Sequence, residues 1–137
     1  MKILFICTGN TCRSPMAEAI AKTIFKEHEF SSAGLAAMQG SPASDGALNA
    51  MKNMNIDISS HQAKQLNFSM VDQNDFIVPM TNQHKYILIS NGIPIEKIKM
   101  FKDEISDPYM MDYTVYQACA EQIKENLISL MGELNVN

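Results

Sequence analysis

Cysteine is scarce in these 137 residues, basic residues are outnumbered, and no apolar run is long. Each shortage excludes something. Three cysteines, at positions 7, 12 and 119, do not make a disulfide framework, and in a reducing compartment they are thiols. No stretch approaches the roughly 20 apolar residues of a membrane-spanning helix. The N-terminal MKILFIC runs straight into a cysteine motif with no cleavage-type segment, so a cytoplasmic protein with no membrane partner is expected. Eleven Lys and Arg against fifteen Asp and Glu leave a net charge of −4, with no general attraction to nucleic acid. Any anion site must be local. The Gly-Lys-Ser/Thr of a nucleotide loop is missing. Zinc is poorly served too, because the Cys7–Cys12 spacing is not that of a zinc knuckle and no second pair exists. No metal or cofactor is expected, and no repeat, linker or low-complexity tract divides the chain. Its length suits one domain over residues 1–137, expected to be a monomer.

What is present is an alternation of strand and helix signals. Residues 2–6 are short, apolar and bulky, as in a central strand covered on both faces. Ala17, Ile20, Ala21, Ile24 and Phe25 then follow helical spacing, with Pro15 suited to a first turn, so a helix is expected over 15–27. A second strand over 30–35 precedes a Gly- and Ser-rich loop. A helix over 44–54 has Ser44 as its cap. A buried strand at 76–78, a short helix near 81–90 and a last strand near 98–101 follow. Tyr113, Tyr116, Ala120, Ile123, Leu127, Leu130 and Leu134 mark a long amphipathic helix. This order predicts an α/β, three-layer, doubly wound fold of the flavodoxin-like kind: a central four-stranded parallel sheet with helices on both faces. Ligands of such sheets bind beyond the carboxyl ends of the strands, where Cys7 lies.

The segment CTGNTCRSP, residues 7–15, is therefore a strand-to-helix turn. A helix N-terminus offers unpaired N–H groups and a dipole that favours anions, and consecutive amides ahead of it form a nest for phosphate. Thr8, Gly9, Asn10, Thr11, Cys12, Arg13 and Ser14 can supply that nest. Gly9 allows close approach and positive φ, and Asn10 also tolerates a left-handed conformation. Arg13 adds a planar fork able to hold two phosphate oxygens. Cys7 sits at the base, where the positive potential favours a thiolate, and Ser14 can donate to its sulfur. Anion binding at a helix terminus alone explains neither Cys7 nor Arg13.

A thiolate attacking a phosphate ester needs its leaving group protonated, which calls for a carboxylic acid at the mouth of the bowl. Asp107, in Ser-Asp-Pro-Tyr between the last strand and the final helix, is the candidate. Asp-Pro is equally an everyday turn signal, and on these grounds the two readings stand level.

CTGNTCRSP near the N-terminus together with Asp-Pro-Tyr ahead of a C-terminal helix resembles the low-molecular-weight protein-tyrosine-phosphatase family, across essentially the whole chain. The resemblance implies that Cys7 is the nucleophile, forming a phosphocysteine intermediate on phosphorylated protein substrates. It makes Arg13 the ligand of the phosphoryl group and its transition state, and Asp107 first an acid and then a base for water. Asn10, Ser14, Ser32 and His61 match the family's loop-supporting network; His61 is otherwise an ordinary surface or half-buried histidine. Cys12 matches a second loop cysteine able to form a disulfide with the nucleophile and guard it against over-oxidation. The alternative is a small residue packed behind the loop. Cys119, among apolar neighbours on the last helix, reads as core packing.

Substrate choice rests on Thr11. Many tyrosine-specific members carry Ile or Leu there, and Thr resembles the bacterial branch that acts on protein phosphoarginine. A threonine is smaller, and its hydroxyl can meet a guanidinium or the attacking water. Tyr109, where that branch often has Phe, would wall the substrate pocket. Met38, aligned with a common pocket-wall aromatic, would form a softer rim. Met110 and Met111 replace the two glycines that often follow the acid triplet and bear on the shape of that loop. Phosphoarginine is thus the favoured substrate and phosphotyrosine the alternative. A thiol-dependent arsenate reductase is a remote third, since it needs downstream resolving cysteines and only Cys119 is available.

Overall fold

The computed structural model describes residues 1–135. Its centre is β1 (Lys2–Cys7), buried from Ile3 onward. Side chains alternate across a strand. Ile3, Phe5 and Cys7 therefore join one apolar cluster, while Leu4 and Ile6 join another on the opposite face. β2 (Glu29–Gly34) and β3 (Phe76–Pro79) flank β1, both parallel to it, giving the order β2-β1-β3. In register, Cys7 lies beside Gly34 and Ile6 beside Pro79.

On the face of Ile3 and Phe5 lie α1 (Arg13–Ile24), α2 (Asp45–Lys52) and α5 (Tyr113–Leu134). α3 (Phe68–Gln73) and α4 (Asn82–Ser90) contribute Val71 and Leu88 to the other face. The caps are local chemistry. Side chains of Ser44, Asn67, Thr81 and Asp112 each accept a backbone N–H of the first turn of α2, α3, α4 and α5. Among the described residues no helix is long and apolar enough to cross a membrane.

Four details correct the sequence reading. The fourth strand is absent: the stretch near 98–101 makes one parallel bridge, Ile98 to Ile77. Lys99 donates to the Ile77 carbonyl and Ile105 to that of Met80, at 2.9 Å each. Six residues thus separate two contacts that span only three along β3 and the residue after it, Met80. The surplus residues 102–104 are exposed, where a ladder needs equal spacing. Among the described residues the sheet has three strands. α1 begins at Arg13, two residues early, and stops at Ile24, where Phe25 leaves the helix with ψ of 69° and packs against the core. α3 was not anticipated. In the phosphate loop, the left-handed residue is Asn10, with φ of 57°, and Gly9 has no positive φ.

Candidate active site

The loop between β1 and α1 is held by its carbonyls. Leu35 N–H donates to Cys7 O, Ala36 to Thr8 O, Ser44 to Thr11 O and Met16 to Cys12 O, at 2.9–3.1 Å. The fifth, Asn10 O, accepts from His61 Nε2 at 2.7 Å, and since a carbonyl only accepts, that nitrogen carries the proton. In a trans peptide the N–H points opposite to the carbonyl. Carbonyls tied outward at Thr8, Asn10, Thr11 and Cys12 therefore turn the amides of Gly9, Thr11, Cys12 and Arg13 inward. Asn10 N–H donates to Cys7 Sγ at 3.3 Å. This is a nest of amides around a sulfur.

Asn10 organises the buried side of the loop. Its Nδ2 donates to Ser14 Oγ and Ser32 Oγ, both at 2.9 Å, and its Oδ1 accepts from Lys64 N–H at 2.9 Å. Asn10, Ser14 and Ser32 are fully buried, so these bonds satisfy groups that have no access to water. Because Ser14 Oγ accepts from Asn10, its hydrogen is free for Cys7 Sγ, 2.9 Å away. Ser32 passes its own hydrogen to Glu18 Oε1 at 2.5 Å. The four residues proposed as loop support thus share one bonded cluster.

Arg13 is buried, its Nη1 donating to Ile105 O at 2.9 Å and its Nη2 lying 3.6 Å from Asp107 Oδ2. Asp107 is half exposed, and its other oxygen accepts from Tyr109 N–H at 3.0 Å, which fixes the carboxyl orientation. Cys7, Thr8, Gly9, Thr11, Cys12, Arg13, Asp107 and Tyr109 line one cleft of about 220 Å³. Met38 is not in its wall. The loop after β2 turns at Met38–Ser41 and is anchored by Gly40 N–H to Ala63 O, leaving the Met38 side chain 77% exposed. Met110 takes φ of 62° in the acid loop, the conformation a glycine adopts without cost.

Cys12 Sγ shares the cleft with Cys7 and lies 3.2 Å from Ser44 Oγ and 3.6 Å from Tyr116 OH. All three cysteines are free thiols. Burial pushes the Cys119 thiol up to about 12, consistent with a packing residue. No group of three or more His, Cys, Asp or Glu among the described residues is placed to hold a metal ion.

Sequence reasoning missed Glu18 and His84. Glu18 had a signal: Asn10, Ser14 and Glu18 recur every four residues, one face of a turn and helix. His84, on α4, meets Thr8 Oγ1 through Nε2 at 2.9 Å. Only folding brings residues 76 positions apart together, and no local pattern announces it.

Known proteins are similar to this chain in sequence and in fold. The family described as "Low molecular weight phosphotyrosine protein phosphatase" matches residues 2–137. The chain is 38% identical to the low molecular weight protein-tyrosine-phosphatase PtpB of Staphylococcus haemolyticus, covering 100% of this chain and 99% of that one. It is 32% identical to the protein-arginine-phosphatase of Bacillus subtilis, covering 98% and 97%. Among solved structures, a YwlE arginine phosphatase mutant with a phosphorylated active-site serine superposes with a TM-score of 0.93 at 30% identity, covering 100% and 97%. The chain is a protein phosphatase and belongs to the low-molecular-weight, cysteine-based phosphatase family.

Proposed function

We propose that this phosphatase hydrolyses phosphoarginine in proteins. Cys7 Sγ attacks phosphorus, the P–N bond breaks, and the Asp107 carboxyl delivers its proton to the departing guanidino nitrogen. Arg13 and the loop amides take the charge of the phosphoryl oxygens. Asp107, now a carboxylate, removes a proton from the water that attacks the S–P bond, releasing inorganic phosphate and restoring Cys7. The phosphorylated serine in the related YwlE structure supports a covalent step at this position of the loop.

The observation that carries the substrate assignment is Thr11 in the cleft wall beside Cys7 and Asp107. Its small polar side chain leaves room for a planar guanidinium and offers it a hydroxyl partner. A phosphotyrosine reading draws on a different feature: Tyr109 in the same wall, an aromatic surface for an aryl leaving group. The test is kcat/KM for phosphoarginine and phosphotyrosine peptides on the native protein and on Thr11→Ile. A native preference for phosphoarginine that the substitution reverses is the expected result. A native preference for phosphotyrosine would overturn the assignment.

A further inference from the structure

His84 is 4% exposed and lies outside the set of groups that the phosphoryl-transfer steps use. Its Nε2 contacts Thr8 Oγ1 at 2.9 Å, while its Nδ1 is buried with no hydrogen-bond partner among the described residues. The two nitrogens of a neutral imidazole are one donor and one acceptor. Orphaned buried N–H groups are rare in folded proteins, so the bare lone pair belongs on Nδ1 and the proton on Nε2. A cation would place an N–H on both. Burial opposes that charge, and the Arg13 guanidinium opposes it further, which holds the imidazole down at about 4.

With Nε2–H donating, Thr8 Oγ1 is the acceptor. Its own hydrogen must then point away from His84, and Thr8 is an exposed residue in the wall of the cleft. We propose that His84 is a positioning residue for phosphoryl transfer, locking the Thr8 hydroxyl as a hydrogen-bond donor toward an oxygen of the bound phosphoryl group. The loop is thereby clamped by two histidines, His61 on the Asn10 carbonyl and His84 on the Thr8 side chain. The first holds backbone; the second aims a side chain. This rests on the cleft being the place of phosphoryl transfer.

The test has a spectroscopic and a kinetic arm. Nitrogen-15 NMR of histidine-labelled native protein at neutral pH is expected to show His84 as the neutral Nε2–H tautomer. An Nδ1–H tautomer or an imidazolium overturns the proposal. Thr8→Val is expected to weaken inhibition by orthovanadate and to lower kcat/KM for an aryl phosphate, each about tenfold, the size of one lost hydrogen bond. His84→Leu should do the same by freeing the hydroxyl, and the double variant should be no worse than either single. His84→Gln, which retains an N–H donor on a side chain of similar reach, should recover most of the loss. Additive losses in the double variant, or unchanged vanadate inhibition in Thr8→Val, overturn it. If His84→Leu does not fold, the native tautomer and Thr8→Val still decide. Native protein that fails to turn over any aryl phosphate would instead strike the catalytic reading of the cleft, and the tautomer measurement is independent of that.

Discussion

At the scale of single residues, Cys7 joins the core to the anion nest. Its side chain belongs to the apolar cluster of α1 and α5, yet Ser14 and the Asn10 amide converge on its sulfur. Replacing sulfur by oxygen keeps the shape of the bowl and every outward carbonyl bond, because none of them uses the sulfur. Cys7→Ser is therefore expected to lose turnover by more than ~10³-fold. It should still bind phosphate or vanadate, as measured by calorimetry. Full activity in that variant would remove Cys7 as nucleophile. Asp107 has divided duties, one oxygen held by Tyr109 N–H and the other facing Arg13. Asp107→Asn can preserve the turn while removing the proton. Its rate should fall ~10²- to 10⁴-fold on substrates with poor leaving groups and far less on activated aryl phosphates. A leaving-group series that stays parallel to the native one would place the acid elsewhere.

At the scale of elements, the end of β2 shapes the site as much as the loop does. A Cβ built on Gly34 would stand 2.7 Å from the Thr8 carbonyl and 3.1 Å from the Asn10 amide, both backbone. Gly34→Ala must push the phosphate loop aside, and a loss of ~1–3 kcal/mol in urea unfolding together with weakened vanadate binding is expected. An unchanged vanadate affinity would show that the loop yields without harm. This dependence explains what could be read from the sequence and what could not. β1 was legible as a short continuous apolar run, α1 and α5 because each carries its own apolar period, and CTGNTCRSP because its chemistry sits in consecutive residues. The edge segment after Ile98 was not. Ile98, Met100 and Phe101 suit a strand, and only the spacing of the segment against β3 shows that a ladder cannot form. α3 is six residues with a single buried side chain, Val71, too short for a period to register. Met38 was placed by alignment with a family position, while the turn that carries it outward is set by a bond to Ala63.

At the scale of the whole molecule, the proposed chemistry has an acidic protein bind an anion through buried Arg13 and a set of loop amides at one end of its sheet. The same concentration of positive potential leaves a mark on stability. His84 shares that end of the fold with Arg13, and burial first, then Arg13, lowers its imidazole from 6.5 to about 4, only partly opposed by Asp107 and Glu104. Between those values the unfolded chain takes up a proton that the folded protein refuses. The stabilisation is complete above pH ~6.5 and is lost as pH falls toward ~4, where the folded state also protonates. Its size is on the order of 3 kcal/mol over that window. Asp112, lowered mainly by its bond to Thr114 and also by the Val115 amide at the start of α5, acts in a separate window below its ordinary value of 3.8. Urea unfolding at pH 7, 5.5 and 4.5 should therefore show a falling midpoint in the native protein and a much flatter series in His84→Gln, which has nothing to titrate there. Equal slopes in the two proteins would mean that His84 charges freely in the folded state, in conflict with its burial beside Arg13.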